Sequence, residues 1–444
     1  MSTSAPTMPR TPMRRIAAAS SIGTSIEWYD FFVFAQMSAI ALNTVFFPSA
    51  SPLTGILLLF ATQGVGFVAR PLGAIIFGHI GDRLGRKRTL ISTLLLMGIA
   101  TFAMGLLPTF EQTGYLAAIL LVVLRVCQGL AAGGEWGGAA LIGVENAPPA
   151  RKALYGSFAQ LGSPIGLVLA TLVVLGTTAT FGSAGVLDWA WRVPFLLSIV
   201  LVPIGLVIRS AIDESPEFAA VRDNNQQHSL PIAQLLRHEW LPLLVGTCAF
   251  VGIFLTYYLM TTFMLAYAKT TLGLTSAVSL PSNLIAAVVE GVFVIVAAVL
   301  SVRLGTRRIN VFAAVGLLVW ALPSFLLAGT MPPWGLYLAV GVSMIFVGSA
   351  YGLLGADVAR TFTAATRYTG LSLSYNLAAV IGGGLGPIAA TAILERSGGN
   401  VFLVGIIPAV AAVVMLAGVL ALPALQQRAE RPQVAAGEGV GATS

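Results

Sequence analysis

Six charged side chains stand in stretches otherwise apolar enough to cross a membrane: Glu27, Asp30, Arg70, Arg125, Glu135 and Glu290. A charge at the centre of a bilayer costs at least about 2.5 kcal/mol on insertion scales, so each is a functional candidate. No histidine joins them, because His79, His228 and His238 fall in or beside predicted loops. A proton relay here must therefore run on carboxylates. Glu27 and Asp30 are three residues apart in Ser-Ile-Glu-Trp-Tyr-Asp-Phe-Phe and share one helix face. Desolvation penalises the charged form of an isolated buried carboxylate, which suits a proton carrier. The competing reading is a structural ion pair that fastens this helix to a neighbour. Trp28, Tyr29, Phe31, Phe32 and Phe34 supply an aromatic wall beside these acids. Gln128 follows Arg125 by one helical turn on the same face. Arg125 can pair with Asp30 and release it on protonation, or clamp a substrate carboxylate in bidentate fashion. A fixed pair with Glu135 is too long, since ten residues of helix rise about 15 Å. Glu135 instead suits a gate or a proton-coupling role. Arg70, just before Pro71, reads equally as a second anion-binding cation or as a partner of Glu27 or Glu135. Glu290 is the single deep charge of the second half, and Tyr257, Tyr258, Tyr267, Tyr375 and Asn376 are hydrogen-bonding candidates.

Composition sets the elements that must carry these residues. The 444 residues are 57% hydrophobic and only 9% charged, with a mean hydropathy of +0.89, whereas a soluble domain carries about 25% charged residues. The chain reads as an all-α membrane protein, because helices satisfy their own backbone in hydrocarbon. Twelve spans are predicted, over residues 16–47, 54–80, 89–108, 113–146, 152–181, 188–211, 239–268, 279–302, 309–330, 333–359, 366–394 and 399–424. The polar stretch 212–238, with Pro216 and an Asn-Asn-Gln-Gln run, divides two six-helix bundles, 16–211 and 239–424. Residues 1–15 form a short N-terminal segment without a cleavable signal, and 425–444 an unstructured tail. Of the 24 Lys and Arg, 19 fall in the termini and in alternate loops. The positive-inside rule then places both ends in the cytoplasm, and the basic balance is no nucleic-acid footprint. Cys127 and Cys248 form neither a disulfide framework nor a metal spacing. No nucleophile–base pair, metal cluster or phosphate loop suggests an enzyme or a cofactor.

Between the second and third spans lies Gly78-His-Ile-Gly-Asp82-Arg83-Leu-Gly85-Arg86-Lys87-Arg88. Its glycines let two helices approach, and its charges suit a gating loop built on Gly78, Asp82, Arg83, Gly85, Arg86 and Lys87. Residues 301–308, Ser-Val-Arg-Leu-Gly-Thr-Arg-Arg, echo it six spans later, with Val302 in place of Asp82 and Thr306 in place of Arg86. Likewise Asp357 ends the tenth span as Glu145 ends the fourth.

The loop 78–88 resembles that between helices 2 and 3 of the major facilitator superfamily. Further segments resemble its bacterial metabolite:proton symporters. These are 25–32, Ala-Arg-Pro-Leu-Gly at 69–73, Gly-Gly-Glu-Trp-Gly-Gly at 133–138, Trp-Arg-Val-Pro-Phe at 191–195, Glu-Ser-Pro-Glu-Phe at 214–218 and Arg-Tyr-Thr-Gly-Leu-Ser-Leu-Ser-Tyr-Asn at 367–376. That branch includes carriers of shikimate, α-ketoglutarate, citrate, and proline or glycine betaine. The resemblance implies two repeated bundles in the bacterial inner membrane and symport of a small organic acid or zwitterion with protons, by a monomer. It also implies coupling and binding roles for Glu27, Asp30 and Arg125. The alternative is a proton-driven exporter of the same fold. Gly162-Ser-Pro-Ile-Gly-Leu in the fifth span lacks the Gly-Pro step and final glycine of exporters.

Overall fold

The computed structural model describes residues 13–84, 86–145, 160–210, 231–363 and 366–438. Among these residues there is no strand, and twelve helices are long and apolar enough to cross a membrane. They are α1 (Ser21–Phe46), α2 (Pro52–Phe77), α3 (Arg88–Gly105), α4 (Tyr115–Gly134), α5 (Gly162–Asp188) and α6 (Ala190–Val207). The second six are α7 (Trp240–Thr270), α8 (Ser276–Leu304), α9 (Thr306–Thr330), α10 (Trp334–Ala359), α11 (Arg367–Arg396) and α12 (Val401–Ala429).

The pairing of the helices repeats. In the first bundle α1 packs on α5, α2 on α4, and α3 on α4 and α6. In the second, α7 packs on α11, α8 on α10, and α9 on α10 and α12. The bundles meet through α5 against α8 and through α2 against α11, which is the same contact shifted by half the chain. Two parallel six-helix repeats related by an axis along the membrane normal have this pattern. Large apolar side chains face outward along the spans, among them Val68, Val207, Val319 and Val410.

Two expectations are corrected at segment ends. The gap predicted at 182–187 is helical as far as Asp188, interrupted only where Gly182 takes φ 65°. The unstructured tail predicted from 425 continues as helix to Glu438. Leu425 is buried, and Gln426 Nε2 donates to the Asp357 carbonyl at 2.8 Å, so the start of this tail is tied to α10. Within the predicted linker, Pro231–His238 forms a short helix whose Leu235 is fully buried; residues 211–230 lie outside the described ones.

Close helix contact fixes where the deep charges stand. A Cβ on Gly129 would lie 2.0 Å from the Gly66 carbonyl oxygen, and one on Gly133 would lie 1.9 Å from that of Arg70. Gly73 meets the Leu130 carbonyl in the same way. Small residues let membrane helices pack backbone to backbone, and this seam sets Arg70 of α2 beside Arg125 of α4.

Candidate functional site

Arg70, Arg125, Asp30, Glu27 and Glu290 are all buried. The two guanidinium groups stand against the aromatic wall of α1. Arg125 Cζ lies 4.1 Å from the Phe34 ring centroid and 4.6 Å from that of Phe31. Arg70 Cζ lies 4.2 Å from Phe31 and 4.4 Å from Phe67. Phe31 thus separates the two cations while both draw on its ring.

A short polar run connects Arg125 to the neighbourhood of Asp30. Arg125 Nη1 donates to Gln128 Oε1 at 2.7 Å, and Gln128 Nε2 donates to Thr101 Oγ1 at 2.6 Å. The Thr101 hydroxyl donates to the Met97 carbonyl and is close enough to Asp30 to interact with its carboxylate. The sequence left a direct Asp30–Arg125 pair open; the structure engages Arg125 with Gln128 and, through it, Thr101 instead. Asp30 Oδ1 has no hydrogen-bond partner, and neither do Arg125 Nε and Nη2. Those two nitrogens form one edge of the guanidinium fork, the edge that receives a carboxylate through two parallel bonds. Arg70 Nε is also without a partner.

A second cluster lies between the bundles. Trp28 of α1, Ser163 of α5, Phe254, Tyr257 and Tyr258 of α7, Glu290 of α8 and Tyr351 of α10 line a small internal cavity. Ser163 Oγ is 3.4 Å from both Glu290 Oε1 and Tyr257 Oη, while Glu290 Oε2 has no partner. Aromatic rings bridge this cavity to the arginines. Phe67 lies 5.5 Å from Phe31 and 5.1 Å from Tyr258, and Tyr258 lies 5.4 Å from Tyr257. The Tyr258 hydroxyl is itself without a hydrogen-bond partner.

Not every sequence candidate faces this space. Tyr29 donates its hydroxyl to the Pro194 carbonyl at 2.7 Å and fastens α1 to the start of α6. Asn376 Nδ2 is spent on the Ser372 carbonyl at 2.9 Å, within its own helix. Tyr375 stands behind the cavity wall, its hydroxyl 3.0 Å from that of Tyr351. The side chains of Glu135, Asp82, Arg83, Arg86 and Lys87, with Gly78 and Gly85, lie outside the described residues. Sequence reasoning passed over Thr101, Ser163, Tyr351 and Asn283. Asn283 is buried two turns from Glu290 on α8, and neither polar atom of its side chain has a partner. Their signal was faint, because uncharged polar residues are scattered through all the spans.

The second copy of the charged loop has its own acid. Asp357 of α10 accepts from Thr306 Oγ1 at 2.8 Å and from Asn310 Nδ2 at 2.9 Å, both in the first turns of α9. A carboxylate near a helix N-terminus is favoured by the helix dipole. Val302 is exposed and takes no part.

Comparison with known proteins agrees with this architecture. Residues 21–387 match the model of the Major Facilitator Superfamily. The chain is 39% identical to the shikimate transporter of Escherichia coli K12, over 87% of this chain and 89% of that protein. It is 30% identical to the proline/betaine transporter of the same organism, over 95% and 85% of the two chains. A crystal structure of a D-xylose–proton symporter superposes with a TM-score of 0.71 at 18% identity, covering 91% of this chain and 97% of the other. With its repeated bundles and its charges gathered at their interface, the chain belongs to the Major Facilitator Superfamily, as a multi-pass membrane transporter.

Proposed function

We propose that this transporter carries a small carboxylate-bearing metabolite, an organic acid or a zwitterion, together with a proton, by alternating access. The observation that carries this reading is the unengaged Nε–Nη2 edge of Arg125, joined through Gln128 and Thr101 to the surroundings of Asp30. Shikimate, proline and betaine, named as cargoes of the two relatives, all bear a carboxylate.

Asp30 takes a proton from the side opposite the basic loops. Charged, it draws the Thr101 hydroxyl and through Gln128 holds Arg125; neutral, it leaves the guanidinium free to receive the substrate carboxylate. Proton and substrate then load together. A ligand shifts an equilibrium between two states only by binding them differently, and this relay supplies the difference. Glu27, and then Glu135, stand next in line as proton carriers, and Arg70 as a second anion partner. The bundles 16–211 and 239–424 rock about this site, joined by the linker 212–238, and Asp82 with the basic residues of 83–88 locks one end. The excess of Lys and Arg on alternate loops supports both termini in the cytoplasm, and in this reading the transporter works as a monomer of the bacterial inner membrane.

The test is uptake of labelled organic acids and betaines into proteoliposomes under an imposed proton gradient. Asp30→Asn, a mimic of the protonated form, should lose gradient-driven accumulation and keep exchange of substrate across the membrane. Proton-dependent accumulation by that variant would remove Asp30 from the coupling role.

A further inference from the structure

Glu290 is the one deep acid that the coupling scheme leaves unused. It is 1% exposed, and its Oε2 has no hydrogen-bond partner. Its own bundle closes tightly behind it: a Cβ on Gly348 of α10 would lie 2.6 Å from the Glu290 carbonyl oxygen, so α8 and α10 pack backbone to backbone. Its other neighbour is the first bundle. Ser163 Oγ of α5 stands 3.4 Å from Glu290 Oε1, and a Cβ on the adjacent Gly291 would touch Pro164 of α5 at 3.5 Å. The groups around the carboxyl are Ser163 of α5, Tyr257 and Tyr258 of α7, Tyr351 of α10 and Trp28 of α1. The space between them has room for about one water. Among the described residues no Lys, Arg or His lines it. Arg70 approaches the rings of Trp28 and Phe67, at 5.7 and 4.4 Å, but is not part of the cavity wall.

We propose that Glu290 is a positioning residue that clasps the two bundles in its neutral form: it keeps its proton while α5 lies on α8, and its ionisation holds the two helices apart. The inference rests on the transport reading above, in which Asp30 carries the coupled proton; Glu290 carries none across. Burying a lone carboxylate costs far more than burying the protonated acid. Closing α5 on α8 therefore selects the neutral form. By linkage, the neutral form favours closing, since a proton shifts an equilibrium between states that bind it differently. Arg70 does not relieve the cost, because in the loaded carrier its charge is turned to the substrate carboxylate. As pH rises, Glu290 loses its proton to water when the bundles part and cannot be covered again. The closed, cargo-enclosing state becomes rare and transport slows, whatever the driving force.

Exchange of labelled shikimate, proline and glycine betaine, the cargoes named for the relatives, tests this in proteoliposomes. The pH is equal on both sides, so no gradient acts, and the chain carries Asp30→Asn, so Asp30 cannot titrate. Exchange should fall at alkaline pH, by up to about tenfold per pH unit, below about pH 9 where tyrosines keep their protons. Adding Glu290→Gln should flatten the profile, whereas Glu290→Asp should keep it. Infrared spectra of the Asp30→Asn chain at about pH 7, where an exposed glutamate is ionised, should show the carbonyl band of a protonated carboxyl, and Glu290→Gln should remove it. A flat profile before Glu290→Gln, an equal fall after it, or no such band overturns the proposal. Glutamine is the neutral isostere of the protonated acid, so a Glu290→Gln chain that does not fold or does not exchange overturns it too. Failure of the transport reading looks different: the wild type neither accumulates nor exchanges any of the three, while the infrared band still reports whether Glu290 holds its proton.

Discussion

At the scale of single residues, the bilayer made the charged part of the site readable. Insertion cost makes a deep charge rare enough to stand out, so Asp30, Arg70, Arg125 and Glu290 were visible as types at positions. Their uncharged partners were not, since Thr, Ser and Tyr sit in spans for many reasons. Tyr29 shows the limit. It adjoins Asp30 in sequence, but one residue turns a helix by about 100°, which sends its hydroxyl to Pro194 on the far side. Two substitutions follow from the relay. Thr101→Val removes the hydroxyl that Gln128 donates to and should weaken proton-driven accumulation far more than exchange, as measured in the same vesicles. Arg125→Ala should cost about 2–5 kcal/mol of substrate binding, the range for losing one partner of a desolvated charge pair. Binding within a factor of two of wild type would mean that Arg125 does not hold the cargo.

At the scale of the element, helix number and polarity followed from hydropathy, and the ends of α5, α6 and α12 did not. The loop predicted at 182–187 held no helix breaker stronger than Gly182 and Gly185, and the tail after 424 gained structure from contacts made far away in sequence. Three wide turns were also invisible. Residues 38–42 of α1, 259–263 of α7 and 380–385 of α11 are π-helical. Such turns cluster at functional sites, but they add one residue to the hydrogen-bond ring and leave no mark in composition. Those of α1 and α7 fall at matching depth in the two repeats. The glycine seam is the opposite case, legible as Gly129 and Gly133 before any geometry. Gly129→Val would drive its side chain into the Gly66 carbonyl, where a Cβ alone reaches 2.0 Å. Overpacking of this kind costs about 1–3 kcal/mol or more, so the purified variant should melt several degrees lower. An unchanged melting temperature would mean that α2 and α4 are not packed backbone to backbone. Gly383→Val tests function instead of stability. Its Cβ would meet Phe67 of α2 across the bundle interface at 2.5 Å and Tyr258 of its own bundle at 2.7 Å. Transport should fall sharply while the variant remains folded and monodisperse.

At the scale of the whole molecule, the repeat was legible in the echo of 81–88 at 301–308, and Asp357 was legible as the counterpart of Glu145, but its turn towards the start of α9 was not. Asp357 supplies the acid of the second copy from α10, with Thr306 and Asn310 in place of an arginine cluster. The half-chain shift of helix pairing makes the same point in three dimensions, since α5–α8 and α11–α2 are one contact repeated. A molecule built this way can open either end by tilting one bundle on the other. In this structure the end away from the basic loops is held shut by the close of α7 against residues 38–42 of α1 and by α11 against α2. Gly64 and Gly384 meet near the middle of α2 and α11, with a Cβ on Gly384 3.5 Å from the Gly64 Cα. The two backbones approach closely enough for a cross-link without large movement of either helix, so a Gly64→Cys/Gly384→Cys pair should oxidise in this state. The native thiols Cys127 and Cys248 are free and are best changed to serine first. Transport should stop on oxidation, return with reductant, and persist in each single-cysteine variant. The oxidised protein should still bind a membrane-impermeant substrate analogue, but only from the side of the basic loops. Undiminished transport by the fully oxidised pair would mean that α2 and α11 need not part, and the rocking of the bundles would be the wrong account of how cargo crosses.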